Sequence, residues 1–478
     1  MQAFNPYMPN WEYVPDGEPY VFGDRLYVFG SHDKFDGAMY CENDYVGWSA
    51  PVDDLGDWKY EGVIYKKSQD PDNADLRAMN APDVQRGPDG RYYLYYFLGP
   101  GQSTFIGVAV CDTPAGAYEY YGKVHYPDGT LYGQRAGDPY AFDPGLFTDD
   151  DGTIYLYTGF TPMPERRLAS IFGEGICADG SYAVVLGADM LTVQSDPVMV
   201  APGVAVLHAG GFEGHEFFEA GSMRKIGGRY YFVYSSINSH ELCYAAGESP
   251  TGPFTFGGTI VSNGDVYLRG DTFDDAIMPL GNTHGGLVTV KNEHYVFYHR
   301  QTNMHQFSRQ ACAERIQILP DGRIPQVEVT SCGLNGGPLA GRGAYGAYIT
   351  CHLRGARGVQ YYHADKIEPE DYPFLTQEGS DRTDTPNQYI TNIQNGAEVG
   401  YKYFRFENVK SITLRLRGKA KGAVLVQTGS DAGSIPFAVD GAEWMEFTAP
   451  IAIADGVTAL YFIFEMEGSC DFDGFTLS

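Results

Sequence analysis

The sequence predicts an all-β protein, a closed ring of five four-stranded units followed by a small β-sandwich. Three observations predict it. Tyr (37) and Phe (28) far outnumber Trp (4) in a chain with 60 Gly, the mixture expected of many short pleated strands joined by tight turns. One hairpin pattern recurs five times, the mark of a repeat architecture. Helical periodicity is nearly absent.

Size and charge bound the rest. The 478 residues exceed the roughly 250–300 that one core organises, so two domains are expected. A net charge of −28 repels phosphate backbones and anionic lipid, which excludes nucleic-acid and membrane-surface roles. No apolar run is long enough to span a bilayer. The first residues, MQAFNPYMPNWEYVPDG, lack the basic and apolar regions of a signal peptide. A cytoplasmic location is therefore expected, or a secreted one if a leader has been removed. The eight Cys are scattered with no CxxC, so free thiols are expected rather than structural zinc.

The repeat places the strands. Gly23-Asp24 precedes RLYVFGS, Asp89-Gly90 precedes RYYLYYF, and Asp151-Gly152 precedes TIYLYTG. Gly227-Gly228 precedes RYYFVYSS, and Asn292-Glu293 precedes HYVFYHR. A second hairpin follows several copies, as in GWSAPVDDLGDWKYEGVI, VAVCDTPAGAYEYYGKV and CYAAGESPTGPFTFGGTI. Two hairpins make a four-stranded blade, and five blades make a β-propeller, whose radial closure leaves only short edges. The pattern ends near residue 330. The Gly-rich stretch 331–348 reads as a connector. Alternating runs such as SITLRLRG, AVLVQTG and ALYFIFEME then predict a jelly-roll-like β-sandwich over 349–478.

In a propeller, polar residues where the innermost strands begin meet at one mouth of the channel. Asp16 (VPDGEPY) reads first as the turn residue of an Asp-Gly pair, with an inward carboxylate as the alternative. Asp143 (YAFDPGLF), between aromatics, would be partly desolvated, which raises a carboxyl pKa. Glu219 (EFFEAGSMRK) follows two Phe, a setting in which a Glu can keep its proton as a general acid requires. Glu216 and Glu213 stand close enough in sequence to compete with it. Carboxylates from three blades suit glycoside hydrolysis, which pairs a general acid with a general base. Fold alone would not license that reading. The competing reading from another class is a non-catalytic sugar-binding propeller.

With these motifs the chain resembles glycoside hydrolase family 43 over nearly its whole length. DGEPYVFGDRLYVFGSHD resembles the family's first-blade segment and implies Asp16 as general base, with Gly17 where the family usually has Pro. FDPGLFTDDDGTIYLYTG implies Asp143 as the residue that tunes the acid and orients substrate, and FFEAGSMRKIGGRYYFVYSS implies Glu219 as the acid rather than Glu216 or Glu213. GNTHGGLVTV implies His284 in the channel, as a substrate contact or a water-linked calcium ligand, and FSRQACAERI implies Arg309 on the sugar. NAPDV puts Asn80 where the family has Trp, implying a more polar pocket wall. The C-terminal sandwich resembles a carbohydrate-binding module, in which Tyr361, Tyr362 and Tyr389 are aromatics able to stack on sugar.

The resemblance implies inverting, exo-acting hydrolysis without a cofactor in bond cleavage. The expected substrate is terminal α-L-arabinofuranose on plant cell-wall oligosaccharides, with β-D-xylose second. Galactofuranose ends and endo-acting arabinanase activity are further alternatives.

Overall fold

The computed structural model describes residues 2–99, 105–161, 177–206, 209–363, 371–383 and 387–478. Blade I comprises β1 (Glu18–Phe22), β2 (Arg25–Phe29), β3 (Tyr45–Pro51) and β4 (Lys59–Tyr65). Blade II comprises β5 (Ala78–Arg86), β6 (Tyr92–Gly99), β7 (Ile106–Cys111) and β8 (Glu119–Lys123). Blade III comprises β9 (Gly145–Thr148), β10 (Ile154–Gly159), β11 (Gly180–Leu186) and β12 (Val198–Pro202). Blade IV comprises β13 (Phe217–Ile226), β14 (Arg229–Ser236), β15 (Glu241–Gly247) and β16 (Thr255–Ser262). Blade V has β17 (Leu287–Val290), β18 (Glu293–Thr302) and β19 (His305–Ile316). Each aromatic run seen in the sequence is the second strand of its blade.

Those second strands are buried on both faces, which is why they read as continuous apolar runs rather than as alternating ones. On β6, Tyr93, Tyr95 and Phe97 pack toward blade III, while Leu94, Tyr96 and Leu98 pack toward blade I. On β14, Phe232 and Tyr234 join the core with blade III, and Tyr231 and Val233 the core with blade V. On β18, Phe297 faces blade I and Val296 and Tyr298 face blade IV. Every junction thus has its own apolar core, and no blade can bury its faces without its neighbours.

The ring closes at two places. On the outside, Tyr7 N–H donates to Ala311 O (3.2 Å), and the Asn5 amide both donates to Ala313 O (2.9 Å) and accepts from Ala313 N–H (3.0 Å). The N-terminal segment thereby takes the place of a fourth strand on blade V, 300 residues along the chain. On the inside, Gly17 bridges Gly285 in parallel. A Cβ on Gly285 would lie 1.9 Å from Phe297 O, so only glycine permits this approach.

The C-terminal unit is β20 (Leu339–Ala340), β21 (Gly343–Gly346), β22 (His352–Arg354), β23 (Phe374–Glu378), β24 (Asn387–Ile393), β25 (Glu398–Phe406), β26 (Ser411–Gln427), β27 (Asp431–Pro450) and β28 (Gly456–Leu477). These nine strands hydrogen-bond as one continuous curled sheet around a single apolar core. The connector expected over 331–348 is corrected here. β20 pairs with β25 and β21 with β28, so residues from 339 onward belong to the sheet. Gly341 of that stretch serves close packing, since a Cβ there would lie 2.3 Å from Arg405 O. The unit is also tied to the propeller by Lys402 Nζ to Asp265 Oδ2 (3.0 Å) and by Arg300 donating to Tyr348 O (2.7 Å) and Thr350 O (3.0 Å).

Candidate active site

The innermost strands of blades I to IV share a backbone irregularity at the mouth. Asp16 (φ 58°), Ala81 (39°), Asp143 (46°) and Ala220 (68°) are non-glycine residues in the left-handed region, each followed by Gly or Pro. Such conformations cost about 1–3 kcal/mol each and cluster at functional sites. Asp tolerates this region better than most residues. In β13 the pairing with β14 slips on either side of Glu219. The break in the pleat there frees the Glu219 side chain from strict alternation.

Asp16 and Asp143 are 5% and 6% exposed, and Glu219 is half-buried. One imidazole spans the first two: His284 Nδ1 lies 3.9 Å from Asp16 Oδ1 and 3.7 Å from Asp143 Oδ2. A backbone hydrogen bond from Ala220 links Asp143 to the residue next to Glu219. The three carboxylates of blades I, III and IV therefore come within electrostatic reach of one another. Glu213 is exposed and Glu216 accepts from Gly214 N–H (3.0 Å), outside the group.

Electrostatics separate the three. Burial works to raise the Asp16 pKa, but Arg309, His284, His299 and a hydrogen bond from Ser31 outweigh it and hold the carboxyl below its ordinary value. Asp16 is thus ionised. Glu219 is pushed up to about 8 by burial and by the Asp16 charge, against a smaller pull from Arg309. Asp143 is raised by burial, by Glu219 and by Asp16. The arrangement holds a carboxylate and a carboxylic acid together at neutral pH, the pair that acid–base hydrolysis needs.

Arg309 does something the sequence did not indicate. Its Nε and Nη2 form a fork on Asp33 (2.8 and 3.0 Å), and its Nη1 donates to Asp16 Oδ1 (3.0 Å). Arg309 thereby fixes the charge of Asp16, while its fork is engaged by the fully buried Asp33. Tyr40 lies over the guanidinium, 4.9 Å from ring centroid to carbon. His299 Nδ1 accepts from Asp16 N–H (3.2 Å), and burial lowers its pKa to about 3, so it stays neutral. Asp33, Tyr40 and His299 escaped the sequence reading. The GSHD that follows β2 was a visible trace of Asp33, but its partner is 276 residues away.

Asn80 stands at the mouth end of blade II. Its amide donates to Ala78 O (3.3 Å) on its own strand, and its carbonyl accepts from Tyr45 OH (3.1 Å). One layer down the channel, Glu18 accepts from Arg224 (2.6 Å) and Ser222 (3.0 Å). Beside it, Asp83 accepts from Leu146 N–H (2.6 Å) and is pushed up to about 7 by burial and the Glu18 charge.

Calcium prefers six to eight oxygen ligands. His284 offers nitrogen, and the carboxylates near it are Asp16 and Asp143. The residues present do not build a calcium cage at His284. Among the described residues, three ligating side chains gather instead at His215, Glu241 and Cys243. There Glu241 already accepts from His215 (2.7 Å), Ser236 (2.6 Å), Asn238 (2.8 Å) and Thr259 (2.6 Å). Of the C-terminal aromatics, Tyr362 is buried, and Tyr389 lies beneath Arg417 (4.7 Å) against Trp444, so neither presents a free face.

The family model for glycosyl hydrolases family 43 matches residues 20–324. A "Xylosidase/arabinosidase" of Thermoclostridium stercorarium is 49% identical, covering 100% of this chain and 99% of that one. A "Xylosidase/arabinosidase" of Bacteroides ovatus is 30% identical over 69% of this chain and 99% of its own. Among solved structures, the GH43_1 enzyme from Xanthomonas citri complexed with xylotriose superposes with a TM-score of 0.53 at 24% identity, over 68% of this chain and 94% of that one. It has the same fold.

Proposed function

The chain belongs to glycosyl hydrolases family 43 and is a glycosidase, and from that premise we propose that it removes terminal pentose by single displacement with inversion. One observation carries the reading: a buried Asp16 held ionised by Arg309 lies within electrostatic reach of Glu219, whose pKa is pushed up to about 8. Asp16 takes a proton from water as that water attacks the anomeric carbon. Glu219 gives its proton to the departing glycosidic oxygen. Asp143, itself disfavoured as an anion by burial, Glu219 and Asp16, stands beside the pair to hold a sugar hydroxyl. No step passes through a metal ion.

The substrate is a carbohydrate. The names of the two relatives support α-L-arabinofuranose and β-D-xylose as the glycone, with arabinofuranose the first choice.

Nitrophenyl α-L-arabinofuranoside and β-D-xyloside, followed by NMR of the first-formed anomer, test the reading. Turnover with inverted product is expected. Glu219→Gln should slow disaccharides by about 10²–10⁴-fold while sparing leaving groups that need no proton. Equal loss on both substrate types would remove Glu219 from the acid role, and retained configuration would overturn single displacement.

A further inference from the structure

The C-terminal unit sends a strap across the rim of the propeller. Leu280 N–H donates to Gln360 O (3.0 Å) and Tyr362 N–H donates to Leu280 O (2.6 Å), so the strap pairs with the segment leading to His284. On its other side Gln306 of blade V donates to His363 O (3.2 Å) through its backbone and to Tyr362 O (2.7 Å) through its side chain. The same Gln306 side chain accepts from Tyr40, whose ring covers Arg309. The strap is thus built into the wall that holds the base-side cation.

Tyr361 is the strap residue whose hydroxyl meets the blade IV loop at Asn238. Its ring rests on Val266, Ala276 and Leu280, and its hydroxyl reaches Asn238 O (3.5 Å). The loop of Asn238 is fastened to the entrance of β13: Ile237 N–H donates to Glu216 O (3.0 Å) and the Asn238 amide to Gly214 O (2.9 Å). The Glu219 charge reaches the phenol. An acid that protonates the glycosidic oxygen stands on the side from which the leaving group departs, and the base stands opposite. A half-buried aromatic with a polar tip, packed with the His363 ring (centroids 4.9 Å apart) and reaching the loop fastened to the entrance of β13, offers a surface for a sugar ring.

We propose that Tyr361, carried by the C-terminal unit, forms the wall of the subsite for the leaving-group sugar, so that the two units together make one active site. This inference rests on Glu219 as the acid.

The test uses the full chain and two substrates with one glycone: a pentosyl disaccharide, whose second sugar would meet Tyr361, and the pentosyl fluoride, whose leaving group is too small to do so. For Tyr361→Ala the ratio of kcat/KM on the disaccharide to kcat/KM on the fluoride should fall about tenfold, the size of one aromatic contact. Most of that change should appear in KM. Tyr361→Phe, which keeps the ring and its packing, should give a smaller fall and covers the case in which the Ala variant does not fold. An unchanged ratio in both variants would overturn the proposal. A wild-type chain that hydrolyses neither substrate would overturn the glycosidase mechanism itself, and this inference with it.

Discussion

Replacing Arg309 by Met should move the acid limb of the pH–rate profile upward. Nη1 of Arg309 lies 3.0 Å from Asp16 Oδ1, in a site where both groups are buried. A unit pair at about 4 Å is worth about 4 kcal/mol at an effective dielectric of about 20. At about 1.4 kcal/mol per pKa unit that sets a ceiling near three units. An Asp beside an Arg is depressed by about 1–3 units in practice. His284, His299 and Ser31 still favour the Asp16 anion in the variant, and they keep the shift below the ceiling. Asp33 would be left as an unpaired buried charge, which destabilises by about 3–5 kcal/mol. The measurement therefore belongs in Arg309→Met combined with Asp33→Asn. The assay is kcat/KM on an aryl pentoside as a function of pH, with the fold checked by circular dichroism. A rise of the acid limb by about 1–3 units is expected. Arg309→Lys, which keeps a charge but loses the fork, should shift it less. A folded double variant whose acid limb stays at the wild-type position would refute the reasoning.

Three further outcomes are expected. The wild-type kcat/KM should be bell-shaped, falling on the alkaline side near pH 8 as Glu219 loses its proton, and Glu219→Gln should abolish that limb on substrates with good leaving groups. Glu219 also affects stability: between its unfolded pKa near 4.5 and its folded value of about 8, the native state holds a proton that the unfolded chain releases. Stability therefore falls as pH rises through that window, and the melting temperature of Glu219→Gln should exceed that of the wild type by more at pH 8 than at pH 5. A gap that does not change with pH would contradict this. Gly285→Ala forces a Cβ to 1.9 Å from Phe297 O and should cost about 1–3 kcal/mol, read as a lower denaturant midpoint; an unchanged midpoint would show that the inner closure is not tight.

The propeller was legible because its rules are local. A turn pair and the strand after it lie within ten residues, so the five hairpins could be counted from sequence. Positions 16, 143 and 219 were legible as candidates because each precedes or enters an inner strand. The fourth strand of blade V was not legible, since residues 5–7 complete it from the far end of the chain. The 339–346 stretch was misread because glycine serves both loose linkers and tight strand approach, and only the neighbour at Arg405 distinguishes them.

By itself the sequence determined the number of blades, the place of each acid in its blade and the all-β character of both units, for these follow from turn chemistry and from alternation within single strands. Only the tertiary structure decided which acid keeps its proton and which gives it up. That depends on Arg309 meeting Asp16 and Asp33 from the other side of the ring, and on a field summed over groups hundreds of residues apart. It also decided that Tyr361, far along the C-terminal unit, reaches the blade IV loop at Asn238, since hydrogen bonds between units have no period that a sequence can display.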